Sequence, residues 1–184
     1  MNYSAMYSAI IKTLNEGGEN MYSVNSEMIS QIELWRRMYE NKAPWLSKTV
    51  SSANLSASVA YETAKLVTLE LKTEIKGSPM ADFLNKNYKK DVLSKLRKYI
   101  EYGLAKGSIV IKPVPTQTGL RTQFIQAGRF FPISFDGSGN ISKCVFIEQI
   151  RKGKFIYTLL EIHTMTDLNM LTIENRVFKS TNDG

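Results

Sequence analysis

The amino-acid sequence predicts an α+β fold, in which about three to four N-terminal helices pack on a C-terminal, mainly antiparallel β-sheet. Up to about residue 106, apolar residues recur at the spacing of helical turns. Beyond that point, β-branched and aromatic residues form short runs separated by Gly, Pro and Asn. The short connections between these runs indicate antiparallel neighbours, and the order of helices before strands is typical of an α+β fold.

The composition indicates a folded chain with its own hydrophobic core. Of the 184 residues, 43% are hydrophobic and 22% are charged, which is too few charges for an intrinsically disordered protein. We expect residues 1–20 to form an N-terminal arm or short helix. Residues 21–184 are expected to form a single α+β, wing-like domain, helical over 21–106 and a β-meander over 107–184.

The first two firm helices differ in how much of their circumference is apolar. The first begins near Ser26 and carries one apolar stripe, and it ends before Ala43-Pro44. The second extends from about residue 53 to 76 and is apolar over a much wider arc. Such a helix packs either against two elements of its own chain or against one element and another subunit. The candidate subunit contacts on it are Leu55, Val59 and Leu66.

A basic helix precedes the strands. A short helix starts near Pro79, and a longer one continues to Lys106, where Gly107 is suited to end it. Because the net charge is +7, an anionic partner is favoured. The candidate contacts with that partner are Lys90, Lys95, Arg97 and Lys98. The other interpretation of these side chains is an ordinary solvated helix face.

Strands account for the rest of the chain. The patterns predict strands near residues 108–112, 121–127, 130–133, 141–150, 155–164 and 170–178. The segment Arg151–Gly153 is predicted to close a hairpin between two of them. The run from Asp136 to Asn140 is predicted to be a turn rather than a calcium loop, because Ile147 stands where such a loop needs a bidentate carboxylate.

Catalytic signatures are scarce in this sequence. The single histidine, His163, and the single cysteine, Cys144, offer neither a nucleophile dyad nor a metal site of the usual kinds. No glycine-rich phosphate loop is present, and no apolar run approaches the length of a membrane span. The prediction is therefore a protein that is not an enzyme, with no catalytic, cofactor or metal residues, no small-molecule substrate and no membrane segment.

Several segments occur in an order and spacing that carry a family resemblance. A helix at Ala60–Val67 precedes them. The segments themselves are Tyr99–Gly107, Phe124–Ser134, Lys143–Glu148, Tyr157–His163 and Ile173–Ser180. Over about residues 50–180 the chain resembles the N-terminal, wing part of a tailed-bacteriophage portal protein, as found in long-tailed phages of Gram-positive bacteria. It departs from the family's pattern at Gly128, where an acidic residue is expected.

The resemblance implies a structural role in the virion. Portal subunits form a ring of twelve at one capsid vertex, and double-stranded DNA passes through the ring during packaging and ejection. The family's partners are further copies of the subunit, the DNA, the terminase motor and the head-tail connector proteins that replace it. Portal subunits are usually much longer than this chain, so the resemblance places the channel, the clip and the motor-docking residues beyond residue 184.

Other interpretations lead to different expectations. The main alternative is a small basic nucleic-acid-binding module, which would bind as a monomer with steep salt dependence. It would use the basic residues Lys86, Lys89, Lys90, Lys95, Arg97 and Lys98. A different virion or prophage interaction protein on the same α+β plan is a third interpretation. An enzyme is the fourth, and it would require a convergent acidic pocket.

Overall fold

The computed structural model describes residues 8, 10–12, 26–117, 119–166 and 170–181. Its helices are α1 (Ser26–Tyr39), α2 (Leu55–Leu69), α3 (Ala81–Tyr88) and α4 (Ser94–Lys106), with a π-helical turn at Lys89–Leu93. Its strands are β1 (Ile109–Thr116), β2 (Gly119–Gln126), β3 (Phe130–Phe135), β4 (Ile141–Lys152), β5 (Phe155–Met165) and β6 (Leu171–Thr181). The predicted α+β class and the order of helices before strands are confirmed.

By internal contacts the chain divides into two compact units, and the strands form two antiparallel sheets. One unit comprises residues 1–31 and 128–184, and the other comprises residues 32–127. The first contains the four-stranded sheet β3-β4-β5-β6, and the second contains the hairpin β1-β2. The break between the sheets falls at Ala127-Gly128, where the positive φ of 84° at Gly128 turns the chain out of β2.

The core of the first unit lies on one face of the four-stranded sheet. Alternate residues of β3, β4 and β5 point to this face, because side chains along a strand alternate between the two sides. The buried cluster is Ile10, Ile29, Phe131, Ile133, Val145, Ile147, Leu160 and Ile162. The predicted hairpin after β4 is confirmed, with Lys152 opposite Phe155 and φ of 58° at Gly153.

The predicted N-terminal arm falls mostly outside the described residues. Within it, Ser8 and residues 10–12 are helical. Ile10 is only 1% exposed, and it belongs to the core of the four-stranded sheet in its own chain. Ile10 is therefore buried by apolar residues of its own chain.

In the second unit, helix α4 packs against α2 and against the hairpin β1-β2. Strand β1 does not end near residue 112 as predicted. It continues through Pro113 and Pro115 to Thr116. Proline has no backbone N–H to donate, and strand edges tolerate it for that reason. In the described part of the chain β1 pairs with β2 alone, so a proline in β1 can direct its nitrogen, which has no hydrogen to donate, away from β2.

The helix ends show how tertiary contacts override the sequence pattern. Helix α2 stops at Leu69 instead of continuing to residue 76. The following segment is held in a non-helical conformation by Asn85, whose side chain accepts a hydrogen bond from the Ile75 N–H and donates one to its carbonyl, both at 2.9 Å. At the far end of α4, Gly107 takes a left-handed φ of 94° and caps the helix as predicted.

Candidate subunit interface

One face of helix α2 is apolar and uncovered. Leu55, Val59, Leu66 and Leu69 are spaced at i, i+4, i+11 and i+14, which places them on one side of the helix. Their side chains are exposed by 70%, 57%, 70% and 69%. We call these four residues the α2 outer face. It contains the three predicted subunit contacts together with Leu69, which the same spacing could have revealed.

The opposite side of α2 is the part that packs inside the chain. Ala60 and Ala64 are 4% and 0% exposed, and they lie on the side of the helix that contacts α4. Both are small, so the two helix backbones can approach each other closely. The Thr68 hydroxyl on the same side donates a hydrogen bond of 2.8 Å to the Ala64 carbonyl. Since this contact is made by small side chains, the large aliphatic ones remain on the outside.

A single ion pair interrupts the α2 outer face. Glu62 lies between Val59 and Leu66 on the helix surface, and its carboxylate is 3.2 Å from the Lys65 ammonium group. Both side chains are about half exposed, so the pair contributes little to stability. It does place one carboxylate in the middle of an otherwise aliphatic stripe, where a charged partner group would be needed on burial.

The four predicted anion-contacting residues lie in two different environments. Lys90 and Lys95 are exposed, and within the described residues neither side chain makes a hydrogen bond or ion pair. The Arg97 guanidinium lies 4.8 Å from the centre of the Tyr61 ring, in a cation–π contact between α4 and α2. Lys98 is 3.1 Å from the Glu101 carboxylate. Two of the four cations are therefore engaged inside the chain.

Lys98 belongs to a polar network that the sequence did not reveal. Glu101 is 5% exposed and accepts a hydrogen bond of 2.5 Å from the Tyr39 hydroxyl on α1. The Lys98 ammonium group donates to the same tyrosine oxygen at 3.2 Å. We call Tyr39, Lys98 and Glu101 the α1–α4 network. It joins residues 62 positions apart in the sequence, which no local pattern could indicate.

The network changes the titration of two of its members. Burial raises the pKa of Tyr39, and the hydrogen bond to the Glu101 carboxylate raises it further. Desolvation alone would lower the pKa of Lys98, but its hydrogen bonds to Tyr39 and Glu101 outweigh that effect and raise it. Both shifts favour the protonated forms that hold the network together.

Lysines also line an open cleft of about 730 Å³ in the second unit. Lys72, Lys86 and Lys89 contribute the positive charges, and Glu74 and Asp82 contribute negative ones. The mixture of signs leaves only a small net charge, so the cleft does not concentrate the field that a phosphate site requires.

The remaining candidates for chemistry are engaged in local contacts. His163 lies 2.5 Å from the Glu161 carboxylate two residues away on β5. Asp136 accepts hydrogen bonds of 2.8 Å from the backbone N–H groups of Ser138 and Asn140, which closes the predicted turn. The side-chain amide of Asn140, above all, lowers the pKa of the Asp136 carboxyl. No group of three potential metal ligands occurs among the described residues.

Comparison with protein-family models, curated proteins and solved structures finds no match to this chain. No helix within the described ranges is both long enough and apolar enough to cross a bilayer.

Proposed function

We propose that the chain is a structural, non-catalytic subunit of a tailed-bacteriophage portal ring, through which double-stranded DNA is packaged and ejected. The observation that carries the proposal is the α2 outer face, where four large aliphatic side chains remain more than half exposed. Monomeric proteins rarely expose a contiguous group of large aliphatic side chains, and such groups commonly mark contacts with another protein. The resemblance of residues 50–180 to a portal wing supplies the type of assembly.

A ring requires that each subunit offer a surface for the next copy. In a heterologous, head-to-tail contact, one patch of each copy meets a different patch of its neighbour, and the ring closes if the rotation allows. The α2 outer face is our candidate for one of these two patches. It is smaller than a complete stable interface, which buries on the order of 1,600 Å² in total, so other surfaces must contribute.

The proposed partners follow from this assembly. They are further copies of the chain, double-stranded DNA in the assembled channel, and the terminase and head-tail connector proteins that meet the ring, all at the portal vertex of the virion. Among the basic residues, Lys90 and Lys95 remain the candidates for an anionic partner, because they are exposed and their side chains make no hydrogen bond or ion pair within the described residues. Arg97 and Lys98 are less suited, since each already contacts groups of its own chain.

The proposal is tested by the mass of the chain in solution. We expect concentration-dependent self-association into closed rings, visible by sedimentation velocity and by electron microscopy of the associated fraction. Leu66→Glu places a charge in the α2 outer face and should weaken this association. Leu120→Glu is the matched control, because Leu120 is also an exposed aliphatic residue (52%) but belongs to the β1-β2 hairpin and not to α2.

A measurement of duplex DNA binding at several salt concentrations distinguishes the portal proposal from the nucleic-acid-binding module. A monomer that binds duplex DNA, loses affinity steeply with salt and loses it further in Lys90→Glu and Lys95→Glu would replace the portal proposal. If Leu66→Glu and Leu120→Glu self-associate equally, the α2 outer face is not a subunit contact.

A further inference from the structure

Among the residues that the structure describes, β6 is an edge strand of the four-stranded sheet. Within the described residues it pairs only with β5, so its other side presents unpaired backbone N–H and C=O groups. Its register with β5 is continuous from Phe155 opposite Thr181 to Met165 opposite Leu171, without a bulge. The opposite edge, β3, carries Pro132 and two register shifts, which are features that discourage pairing. Only β6 of these two edges is suited to accept another strand.

The side chains of β6 form a self-complementary pattern. On the core side of the sheet, Glu174 and Arg176 form an ion pair of 2.6 Å and are both partly solvated. On the other side, Ile173 and Val177 are 51% and 65% exposed. Each pair is arranged symmetrically about Asn175. An acidic and a basic residue, and two β-branched aliphatic residues, therefore stand at equal distances on either side of one central position.

We infer that β6 is a docking edge for a second copy of this chain, paired antiparallel about a two-fold axis with Asn175 opposite Asn175. A two-fold axis perpendicular to a continuous sheet does not exchange its two faces, so a given residue lies on the same face of the sheet in both copies. Opposing residues must then lie on the same face, so only registers centred on a residue are allowed. This restriction leaves few registers to compare.

Charge favours the register centred on Asn175 over the two registers next to it. With Asn175 at the centre, Glu174 faces Arg176 of the partner, and Ile173 faces Val177 of the partner. Directly opposed side chains have Cβ atoms about 5 Å apart, so the two ion pairs become an alternating group of four charges. A register centred on residue 174 would place Glu174 opposite Glu174, and one centred on residue 176 would place Arg176 opposite Arg176. Like charges directly opposed are destabilising.

The inferred contact differs in symmetry from the proposed ring contact. An isologous contact closes on two copies and cannot propagate a ring, whereas the α2 outer face is proposed for a heterologous one. The inference therefore goes beyond the proposed function and stands on different residues. It predicts that two four-stranded sheets join into one continuous sheet across the two β6 strands.

Mixing two charge variants tests the register directly. Glu174→Arg gives Arg opposite Arg in a homodimer, and Arg176→Glu gives Glu opposite Glu, so each variant alone should dimerise about tenfold or more weakly than the unaltered chain. In a mixture, every opposed pair has opposite signs, and a heterodimer should form near the original affinity. Both variants lose the ion pair within the chain, so only an intermolecular contact explains restoration by mixing.

The measurement is sedimentation velocity of each variant and of the equimolar mixture, in a Leu66→Glu background that suppresses the proposed ring contact. Restored dimer in the mixture supports the inference. A mixture that associates no better than its components, or a Leu66→Glu parent that stays monomeric up to about 1 mM, overturns it. In the chain without Leu66→Glu, dimers through β6 that do not assemble into rings would count against the proposed function alone.

A cross-linking measurement covers the case in which a charge variant does not fold. In a Cys144→Ser background, Asn175→Cys should form an intermolecular disulfide on mild oxidation, because opposed Cα atoms lie within disulfide range in either kind of antiparallel pair. Lys179→Cys is the matched control, because its copies would lie more than about 20 Å apart in this register. Equal cross-linking of the two variants refutes the register.

Discussion

Replacing Glu101 by glutamine probes the α1–α4 network with little change of shape. The glutamate is 5% exposed and accepts hydrogen bonds from the Tyr39 hydroxyl at 2.5 Å and from the Lys98 ammonium group at 3.1 Å. Glutamine retains one acceptor for the tyrosine but removes the charge that strengthens both bonds. It also replaces one accepting carboxylate oxygen by an amide NH₂ group, which can only donate.

The expected loss of stability follows from these contacts. Hydrogen bonds to charged groups contribute about 1.5–3 kcal/mol, and a buried donor left unsatisfied costs about 1–3 kcal/mol. The Lys98 side chain is 53% exposed, so water recovers part of its interaction. We therefore expect the free energy of unfolding to fall by about 2–3 kcal/mol in Glu101→Gln.

The assay is urea unfolding at pH 7, followed by circular dichroism. Glu62→Gln is the matched control, because Glu62 also pairs with a lysine three residues away but is 57% exposed. Its free energy of unfolding should change by less than about 0.5 kcal/mol. Equal effects of the two substitutions, or a change below 0.5 kcal/mol in Glu101→Gln, would refute the view that burial makes this carboxylate important.

Three further predictions concern titration, backbone geometry and the core. The raised pKa values of Tyr39 and Lys98 contribute stability that is present below about pH 10 and is lost as pH rises through the shifted values. The free energy of unfolding, measured from pH 8 to 12, should therefore decline, and Tyr39→Phe should make that decline shallower. Gly107→Ala should lower the free energy of unfolding by at least about 1 kcal/mol, because φ is 94° and the new Cβ would lie 3.0 Å from the Trp35 ring. Gly153→Ala should cost less, because φ is 58° and no atom lies within 4 Å of its new Cβ. Thermal melting compares the two variants. Phe131→Ala, at a site that is 0% exposed, should destabilise the chain by about 3–5 kcal/mol in urea, and a loss below 1 kcal/mol would contradict its place in the core.

The element order was predictable because its signals are local. Apolar spacing located α1 and α4, and the alternation in β4 and β5 located the hairpin between them. Gly107 at the end of α4 was predictable for the same reason, since a left-handed cap is a requirement of a few consecutive residues. Errors occurred where a distant residue intervened, as when the Asn85 side chain holds Ile75 outside the helix.

The candidate sites divide in the same way. The three apolar residues predicted as subunit contacts follow from helical spacing, and the structure shows that Leu69 is exposed on the same side of α2. The four basic residues look equivalent in the sequence, yet Arg97 stacks on Tyr61 while Lys90 remains in solvent. Which cations are engaged depends on the helix that packs beside them, and a local pattern does not contain that information.

The sequence by itself determined the α+β class, most element positions and the existence of a helix with too much apolar surface. Only the tertiary structure decided which side of that helix is buried, because Ala60 and Ala64 allow α4 to approach and leave Leu55 and Leu66 outside. It likewise decided that β6 is an edge strand among the described residues, since strand order depends on pairings between distant segments. Spacing along the chain sets what each residue can do locally, whereas burial is a property of the three-dimensional neighbours.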